Sequence, residues 1–300
     1  MPPSNSLNLE QRVIDVFREC KTFNFNGVNY VVDIIGKPRP SIGECKTDVY
    51  VHAHDNTRRS SLELKISVKD ESTNEFQANK LTANDASNIF GKNWDNIISS
   101  ASKSIRKEFE KRPLIFAKRK NPTQANSITL GWKLEIASKG RKLSAKIPLE
   151  IQEIRDYVFK GTRLDNDKKN AKVDNQMIIN SGVADYILLA NINNINTTND
   201  IISKLKPINN YNPPEIYLIF TANNYRTRDD KTDGNRSLAV QIEWICENGK
   251  LTPKFKYDNP LKKTGQDMKS ILLKALSSLG KRHPEEMNEQ DISDKKYFYS

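Results

Sequence analysis

Two neighbouring segments near the N-terminus alternate apolar and polar residues, and they constrain the fold more than any other part of the chain. In Asp48–His54, valine and alanine alternate with polar or aromatic side chains. In Leu62–Lys69, the apolar residues alternate with Glu63, Lys65, Ser67 and Lys69. Strict alternation is typical of strands with one buried face. The short polar turn between the segments favours an antiparallel hairpin.

The remaining segments predict an α/β protein with a central mixed sheet flanked by helices. Apolar residues at helical spacing predict helices over Leu7–Cys20, Thr82–Phe109, Glu150–Phe159 and Gln266–Leu279, the last ended by Gly280. Apolar runs predict strands over Gly27–Ile35, Leu130–Ile136, Lys142–Ile147, Tyr186–Ala190, Ile216–Thr221 and Ser237–Ile245. We expect Leu130–Ile136 and Lys142–Ile147 to pair with each other.

Charge and composition narrow the classes of function. Lys and Arg number 48 against 37 Asp and Glu, a net charge of +11 that favours a polyanionic partner. No run approaches the ~18 apolar residues of a membrane span, and the N-terminus lacks a secretory pattern. The chain has three cysteines and no CxxC pair: Cys20, Cys45 and Cys246. We interpret them as free thiols in a reducing cytosol. We therefore expect a soluble cytoplasmic protein with no membrane partner.

The polar face of the hairpin carries the residues that metal-assisted phosphodiester hydrolysis needs, namely carboxylates with a lysine beside them. A tight turn would place Asp48 opposite Lys65 and diagonal to Glu63, so that Asp48 and Glu63 could hold one metal. A longer turn would place Asp48 opposite Ser67, and Lys69 would then be the catalytic lysine. We expect the tight turn, because a carboxylate binds Mg²⁺ better than a hydroxyl does.

Thr47-Asp48 on the first strand and Glu63-Leu64-Lys65 on the second resemble the motif of the PD-(D/E)XK nuclease superfamily, which includes most type II restriction endonucleases. The preceding helix, which carries Glu10 and Glu19, and the following helix fit the αβββα order of that family. The resemblance covers roughly residues 7–110, with Thr47 in place of the family's proline. It implies Mg²⁺ bound by Asp48 and Glu63, and a water positioned or polarised by Lys65.

The longer turn resembles a variant of the same family, in which serine replaces the second acid. Ser67-Val68-Lys69 is similar to that form, and Lys69 then takes the place of the catalytic lysine. Four further residues are candidate accessory groups of the site: Glu19, Glu44, Ser67 and Gln77.

The resemblance implies a Mg²⁺-dependent, sequence-specific endonuclease of double-stranded DNA, of the type II restriction class. Residues 1–125 are expected to form the catalytic core. Residues 126–300 would complete the sheet or form a recognition subdomain, and one continuous domain with the core is the alternative to two separate regions. A palindromic target would call for a homodimer. The alternatives are a repair or recombination nuclease with the same core, and a non-catalytic DNA- or RNA-binding protein whose hairpin charges form a solvated face.

Two basic segments are candidates for contact with DNA. One is the block Lys103–Lys120, and the other is the polar segment Asn223–Arg236, predicted to be a loop between two apolar strands. The candidate residues are Lys103, Arg106, Lys107, Lys118, Arg119, Arg226, Arg228 and Arg236. A solvated helix face and a long surface hairpin are the alternative interpretations.

His52 and His54 share the strand face of Asp48. A histidine pair of this kind can bind a transition metal. The sequence offers no third ligand, which favours a pair that simply faces solvent.

Overall fold

A computed structural model describes residues 5–72, 77–78 and 81–300. Its helices include α1 (Asn5–Cys20), α2 (Ala83–Phe90), α3 (Trp94–Ser104), α4 (Arg106–Glu110), α5 (Ile151–Glu153, continued by a π-helix over Ile154–Lys160), α6 (Asn166–Lys169), α7 (Thr198–Ile202) and α8 (Gly265–Leu279).

The strands are β1 (Thr22–Phe25), β2 (Val28–Gly36), β3 (Val49–Asp55), β4 (Ser61–Asp70), β5 (Gln77–Ala78), β6 (Ile115–Phe116), β7 (Ser127–Ala137), β8 (Ser144–Lys146), β9 (Ala171–Val173), β10 (Gln176–Ile178), β11 (Tyr186–Ala190), β12 (Leu205–Pro207), β13 (Tyr217–Arg226), β14 (Lys231–Thr232), β15 (Val240–Glu247), β16 (Lys250–Lys256) and β17 (Phe298–Tyr299). The chain is thus a mixed α/β protein, as predicted.

The chain divides into two compact units, and each unit is made of two separate stretches of sequence. Unit 1 comprises Met1–Phe76 and Leu149–Pro214, and unit 2 comprises Gln77–Pro148 and Glu215–Ser300. The expected division near residue 125 falls inside unit 2. Strands from the second half of the sequence therefore contribute to both units.

Unit 1 is built on a mixed sheet with the order β1-β2-β3-β4-β11-β12 among the described residues. Strand β11 runs parallel to β4, and the other neighbours are antiparallel. Helix α1 packs Leu9, Val13 and Phe17 into the core of this unit, together with Val51 and Leu64 of the hairpin. Burial of each such large side chain stabilises the fold by roughly 1.5–3 kcal/mol, so the core anchors the hairpin against α1.

Unit 2 contains a second sheet, in which β14-β13-β7-β15-β16 are neighbours and β5, β6, β8 and β17 are joined to them. Helix α8 packs on β15 and β7. A reciprocal capping box between Thr264 and Asp267 begins this helix, and Gly280, with φ +67°, ends it as predicted. Of the two alternatives for the C-terminal strands, completion of the unit 1 sheet is therefore wrong for β13, β15 and β16, because they belong with β7 to a separate sheet.

The expected pairing of β7 with β8 is also wrong. Strand β7 pairs along the length of β13, and β8 pairs with Tyr217, Leu218 and Ile219 of the same strand. The reason is that β13 is ten residues long and largely buried, so it offers both of its edges to neighbours.

The segment Asn223–Arg236 is not a simple loop, since its first four residues continue β13. Asn223 and Asn224 are buried, with 0% and 7% exposure. The side chain of Asn223 donates a hydrogen bond to the carbonyl of Gly234 (2.9 Å), and that of Asn224 accepts one from Thr129 (2.9 Å) and donates one to Asp233 (3.0 Å). Polar side chains that form internal hydrogen bonds can lie inside a sheet, which the polar sequence alone does not reveal.

Within the described part of the chain, no helix has both the length and the apolar character needed to cross a membrane.

Candidate active site

The β3–β4 hairpin pairs in the longer of the two registers. Val49 lies opposite Ile66, and continuation of this pairing places Asp48 opposite Ser67. The expected tight turn, with Asp48 opposite Lys65, is therefore wrong. The alternative register is the one that the structure contains.

The carboxylate of Asp55 explains the longer turn. Its oxygens accept hydrogen bonds from the backbone N–H groups of Thr57 (2.8 Å), Arg59 (3.1 Å) and Ser60 (3.1 Å). Arg58 completes the turn in a left-handed conformation with φ +57°. The hydroxyls of Ser60 and Thr57, together with these N–H groups, hold the pKa of Asp55 well below its ordinary value. A two-residue turn would lose these bonds.

Asp48 lies directly before β3 and is bonded to the neighbouring strand β4. Its Oδ2 accepts hydrogen bonds from the backbone N–H of Val68 (2.7 Å), the hydroxyl of Ser67 (3.2 Å) and the ammonium of Lys69 (3.4 Å). Among the described residues, no group donates a hydrogen bond to Oδ1. The side chain is 18% exposed. One carboxylate oxygen is therefore available to a cation.

A second carboxylate, Glu10 of α1, belongs to the same cluster. Glu10 is 9% exposed and accepts a hydrogen bond from Lys37, which directly follows β2. Burial and then the charge of Asp48 raise the pKa of Glu10, while Lys37 and Lys69 oppose that rise. Burial lowers the pKa of Lys37, but its bond to Glu10 and the nearby carboxylates outweigh burial and raise it. Two acids and two lysines thus act on one another electrostatically.

Glu10 and Lys37 were not singled out as site residues from the sequence, although Glu10 carried a signal. It precedes Val13, Ile14 and Phe17 by three, four and seven residues, which places an acid on the apolar face of an amphipathic helix. A buried acid in such a position needs a partner. Lys37 carries no comparable pattern.

The segment that leads into Asp48 is held by a close backbone contact within unit 1. The carbonyl of Gly182 accepts hydrogen bonds from the N–H groups of Lys46 (2.9 Å) and Thr47 (3.3 Å). A Cβ at Gly182 would lie 1.9 Å from a backbone carbonyl oxygen and 2.9 Å from Cβ of Cys45, so only glycine allows this approach. Burial and then the charge of Asp48 raise the pKa of Cys45 to about 11, which keeps it a neutral thiol.

Glu63 and Lys65, the residues expected to complete the site, are engaged elsewhere. The hydroxyl of Tyr50 donates a hydrogen bond to Glu63, and burial followed by this bond raises the pKa of Tyr50. The ammonium of Lys65 lies 2.9 Å from Asp185. Glu63 is four strand positions from the residue opposite Asp48, roughly 13 Å away. Within the described residues, no ion pair or hydrogen bond links either of the two to Asp48.

The four candidate accessory residues do not lie together in the structure. Ser67 joins the cluster as a hydrogen-bond donor. Glu19 lies at the far end of α1, and its side chain is 65% exposed. Glu44 is exposed, and its charge contributes to raising the pKa of Lys37. Gln77 lies in β5 of unit 2, and its side chain is outside the described part of the structure.

His52 and His54 both face Asp33 of β2. The Nδ1 atoms of His54 and His52 lie 2.8 Å and 3.3 Å from its carboxylate. In the described ranges, no group of three or more His, Cys, Asp or Glu side chains is arranged to hold a metal ion. His54 is hydrogen-bonded to Asp33, whereas the buried Nδ1 of His52 forms no hydrogen bond with a described residue.

The expected DNA-binding cations are all in unit 2 and differ in their pairing. Four form ion pairs with nearby acids, namely Lys103 with Asp258, Arg106 with Glu110, Arg228 with Glu285 and Arg226 with Asp229. Of these four, Arg226 is partly buried. The others are exposed without an ion pair in the described residues: Lys107, Lys118, Arg119 and Arg236.

The carboxylates of Asp48 and Glu10 suit Mg²⁺. This ion commonly takes one or two protein carboxylates and fills its remaining positions with water and substrate phosphate oxygens. Burial and then the charge of Asp48 raise the pKa of Glu10, so a cation between the two carboxylates would stabilise their charged forms.

In the metal-free protein, we expect the contribution of Glu10 to stability to fall as the pH rises. Its pKa is raised above 4.5 in the folded state, so the folded protein holds this proton more tightly than the unfolded chain does. The contribution is full below pH 4.5 and is lost as the pH passes the raised pKa. Thermal unfolding of wild type and Glu10→Gln across this window should show a Tm difference that changes with pH. A difference independent of pH would contradict the expectation.

Comparison of the chain with models of protein families, with curated proteins and with solved structures finds no match.

Proposed function

We propose that this protein is a Mg²⁺-dependent endonuclease that cuts double-stranded DNA at specific sequences, as type II restriction endonucleases do. The observation that carries the proposal is the cluster around Asp48. An available carboxylate oxygen lies beside a lysine that contacts the same carboxylate at 3.4 Å, with a second, buried carboxylate close by. Phosphodiester hydrolysis needs this set of groups.

Each residue of the cluster has a distinct role in the proposal. Asp48 and Glu10 would hold Mg²⁺, and the bound ion would supply polarisation of the scissile phosphate. Lys69 orients the attacking water and stabilises the negative charge that develops in the transition state. Ser67 and the N–H of Val68 fix the orientation of the Asp48 carboxylate. Lys37 offsets the charge of Glu10 when the metal is absent.

The order of elements supports the same proposal. Helix α1 is followed by four antiparallel strands, β1 to β4, and β11 then adds to β4 in parallel. The longer strands β2, β3 and β4 correspond to the three strands expected from the resemblance to PD-(D/E)XK nucleases, and the short strand β1 is an addition at the edge of the sheet. The net charge of +11 agrees with a polyanionic substrate.

Sequence specificity and a homodimer are part of the proposal. A two-fold symmetric target would be cut on both strands by two copies related by the same symmetry. Light scattering in the presence and absence of DNA would measure whether the protein is dimeric.

Digestion of a large viral genome of known sequence, followed by sequencing of the ends, tests the proposal. We expect discrete fragments that share one short sequence at their ends, formed only when Mg²⁺ is added. Random ends would support a nuclease without sequence specificity, as in repair or recombination. DNA binding without cutting in Mg²⁺ or Mn²⁺ would support a non-catalytic binding protein instead.

A further inference from the structure

Unit 2 contains a cavity of about 610 Å³ formed against β7 and β13. This volume lies within the ~300–1,000 Å³ that is typical of small-molecule sites. All of the residues that line the cavity belong to unit 2. The cavity therefore belongs to unit 2 alone.

The lining of the cavity is strongly positive. Asp233 is its carboxylate among the described residues, and the cationic residues are Arg112, Arg141, Lys142 and Arg226. Asp233 is already engaged, because its Oδ2 accepts hydrogen bonds from the backbone N–H (3.2 Å) and the amide (3.0 Å) of Asn224. The excess of positive charge favours an anionic ligand.

Two guanidinium groups in this lining have an Nε–H without an acceptor, although Nη1 of Arg226 donates a hydrogen bond to Asp229 (3.4 Å). The Nε–H groups of Arg112 and Arg226 are buried and donate no hydrogen bond to any described residue. Nε of Arg226 lies 3.6 Å from Asp233, which is too far for a hydrogen bond. Burial lowers the pKa of Arg112, an effect that the charge of Glu108 opposes. Buried donors without acceptors are unfavourable, and phosphate oxygens match guanidinium groups well.

The rim of the cavity offers neutral polar groups next to these cations. Thr123 and Gln124 contribute to the lining, and their side chains have no hydrogen-bond partner in the described part of the chain. A hydroxyl and an amide can each pair with the edge of a nucleobase. The cavity thus combines cations for a phosphate with polar groups for a base.

We propose that this cavity binds a nucleotide, with the phosphate between Arg112 and Arg226 and the base edge at Gln124. A free nucleotide and one nucleotide of a DNA strand present the same chemistry to these residues. This binding goes beyond the proposed cleavage at Asp48 and requires none of the residues of unit 1.

Isothermal titration calorimetry without divalent metal tests the proposal, using 2′-deoxyadenosine 5′-monophosphate, inorganic phosphate and a short DNA duplex. Arg112→Gln and Arg226→Gln should each weaken nucleotide binding at least about tenfold, as loss of a charged hydrogen bond implies. Arg282→Gln is the matched control, because Arg282 of unit 2 is exposed, lies outside the lining and is not among the candidate DNA contacts. The control should bind as wild type does. If either cavity variant fails to fold, Lys142→Gln replaces it, since Lys142 is exposed.

Competition between the duplex and the mononucleotide would identify a nucleotide of DNA as the ligand, and binding of the mononucleotide alone would identify a free nucleotide. The proposal is overturned if neither binds, if the cavity variants bind as the control does, or if inorganic phosphate binds as tightly as the mononucleotide. Because no cutting is measured, these outcomes are independent of whether the protein is a nuclease.

Discussion

Asp48→Asn should reduce Mg²⁺-dependent DNA cutting by roughly 1,000-fold, which corresponds to the several kcal/mol that a catalytic metal supplies. The amide keeps the shape of the side chain and one oxygen that can accept from the N–H of Val68, but it removes the charge that holds the metal. DNA binding measured without metal should remain, because the variant loses one acid and keeps every cation. Cutting of supercoiled plasmid over time is the measurement.

Glu63→Gln is the matched control for this variant. It removes the same charge from the next strand, roughly 13 Å from Asp48, at a residue whose partner is the hydroxyl of Tyr50. We expect this variant to cut nearly as well as wild type. If Glu63→Gln loses cutting and Asp48→Asn retains it, the metal site proposed around Asp48 and Glu10 is wrong.

The second large effect is expected for Lys69→Met, which keeps the aliphatic stem and removes the ammonium. Positioned acid–base groups contribute about 10²–10⁴-fold to rate, and the loss should appear in the rate of the cutting step under single-turnover conditions. Mg²⁺ binding, measured by the rise in Tm on titration with the ion, should persist because both carboxylates remain.

Lys65→Met is the comparison that separates the two lysines of β4. Lys65 is paired with Asp185 at 2.9 Å, so this variant should lower the Tm and leave the cutting rate of the folded protein largely intact. Lys69, in contrast, contacts Asp48 at 3.4 Å. Loss of cutting in Lys65→Met with little change in Lys69→Met would favour the tight register of the hairpin in the active state.

The two registers of the hairpin show what strand periodicity can and cannot predict. Alternation has a period of two, so a slip of two residues leaves every side chain on its original face. Lys65 and Lys69 are therefore equivalent by pattern. The difference between them comes from the carboxylate of Asp55, whose hydrogen bonds to Thr57, Arg59 and Ser60 select the longer turn.

The position of the second carboxylate beside Asp48 could not be predicted from any local sequence pattern. Glu10 and Asp48 are 38 positions apart in the sequence, and no local pattern joins them. Helix α1 brings Glu10 to Asp48 because its apolar residues, among them Val13 and Phe17, pack into the core beneath the hairpin. Only this packing turns an acid on an apolar helix face into a partner of the site.

The sequence by itself determined the local elements on which the site is built: α1, the strands β3 and β4, and the acid at the start of β3. These follow from helical and strand periodicity, which depends on neighbouring residues alone. The tertiary structure decided the register, the meeting of Glu10 with Asp48, and the return of Leu149–Pro214 to unit 1. Each of these depends on hydrogen bonds or packing that periodicity does not encode.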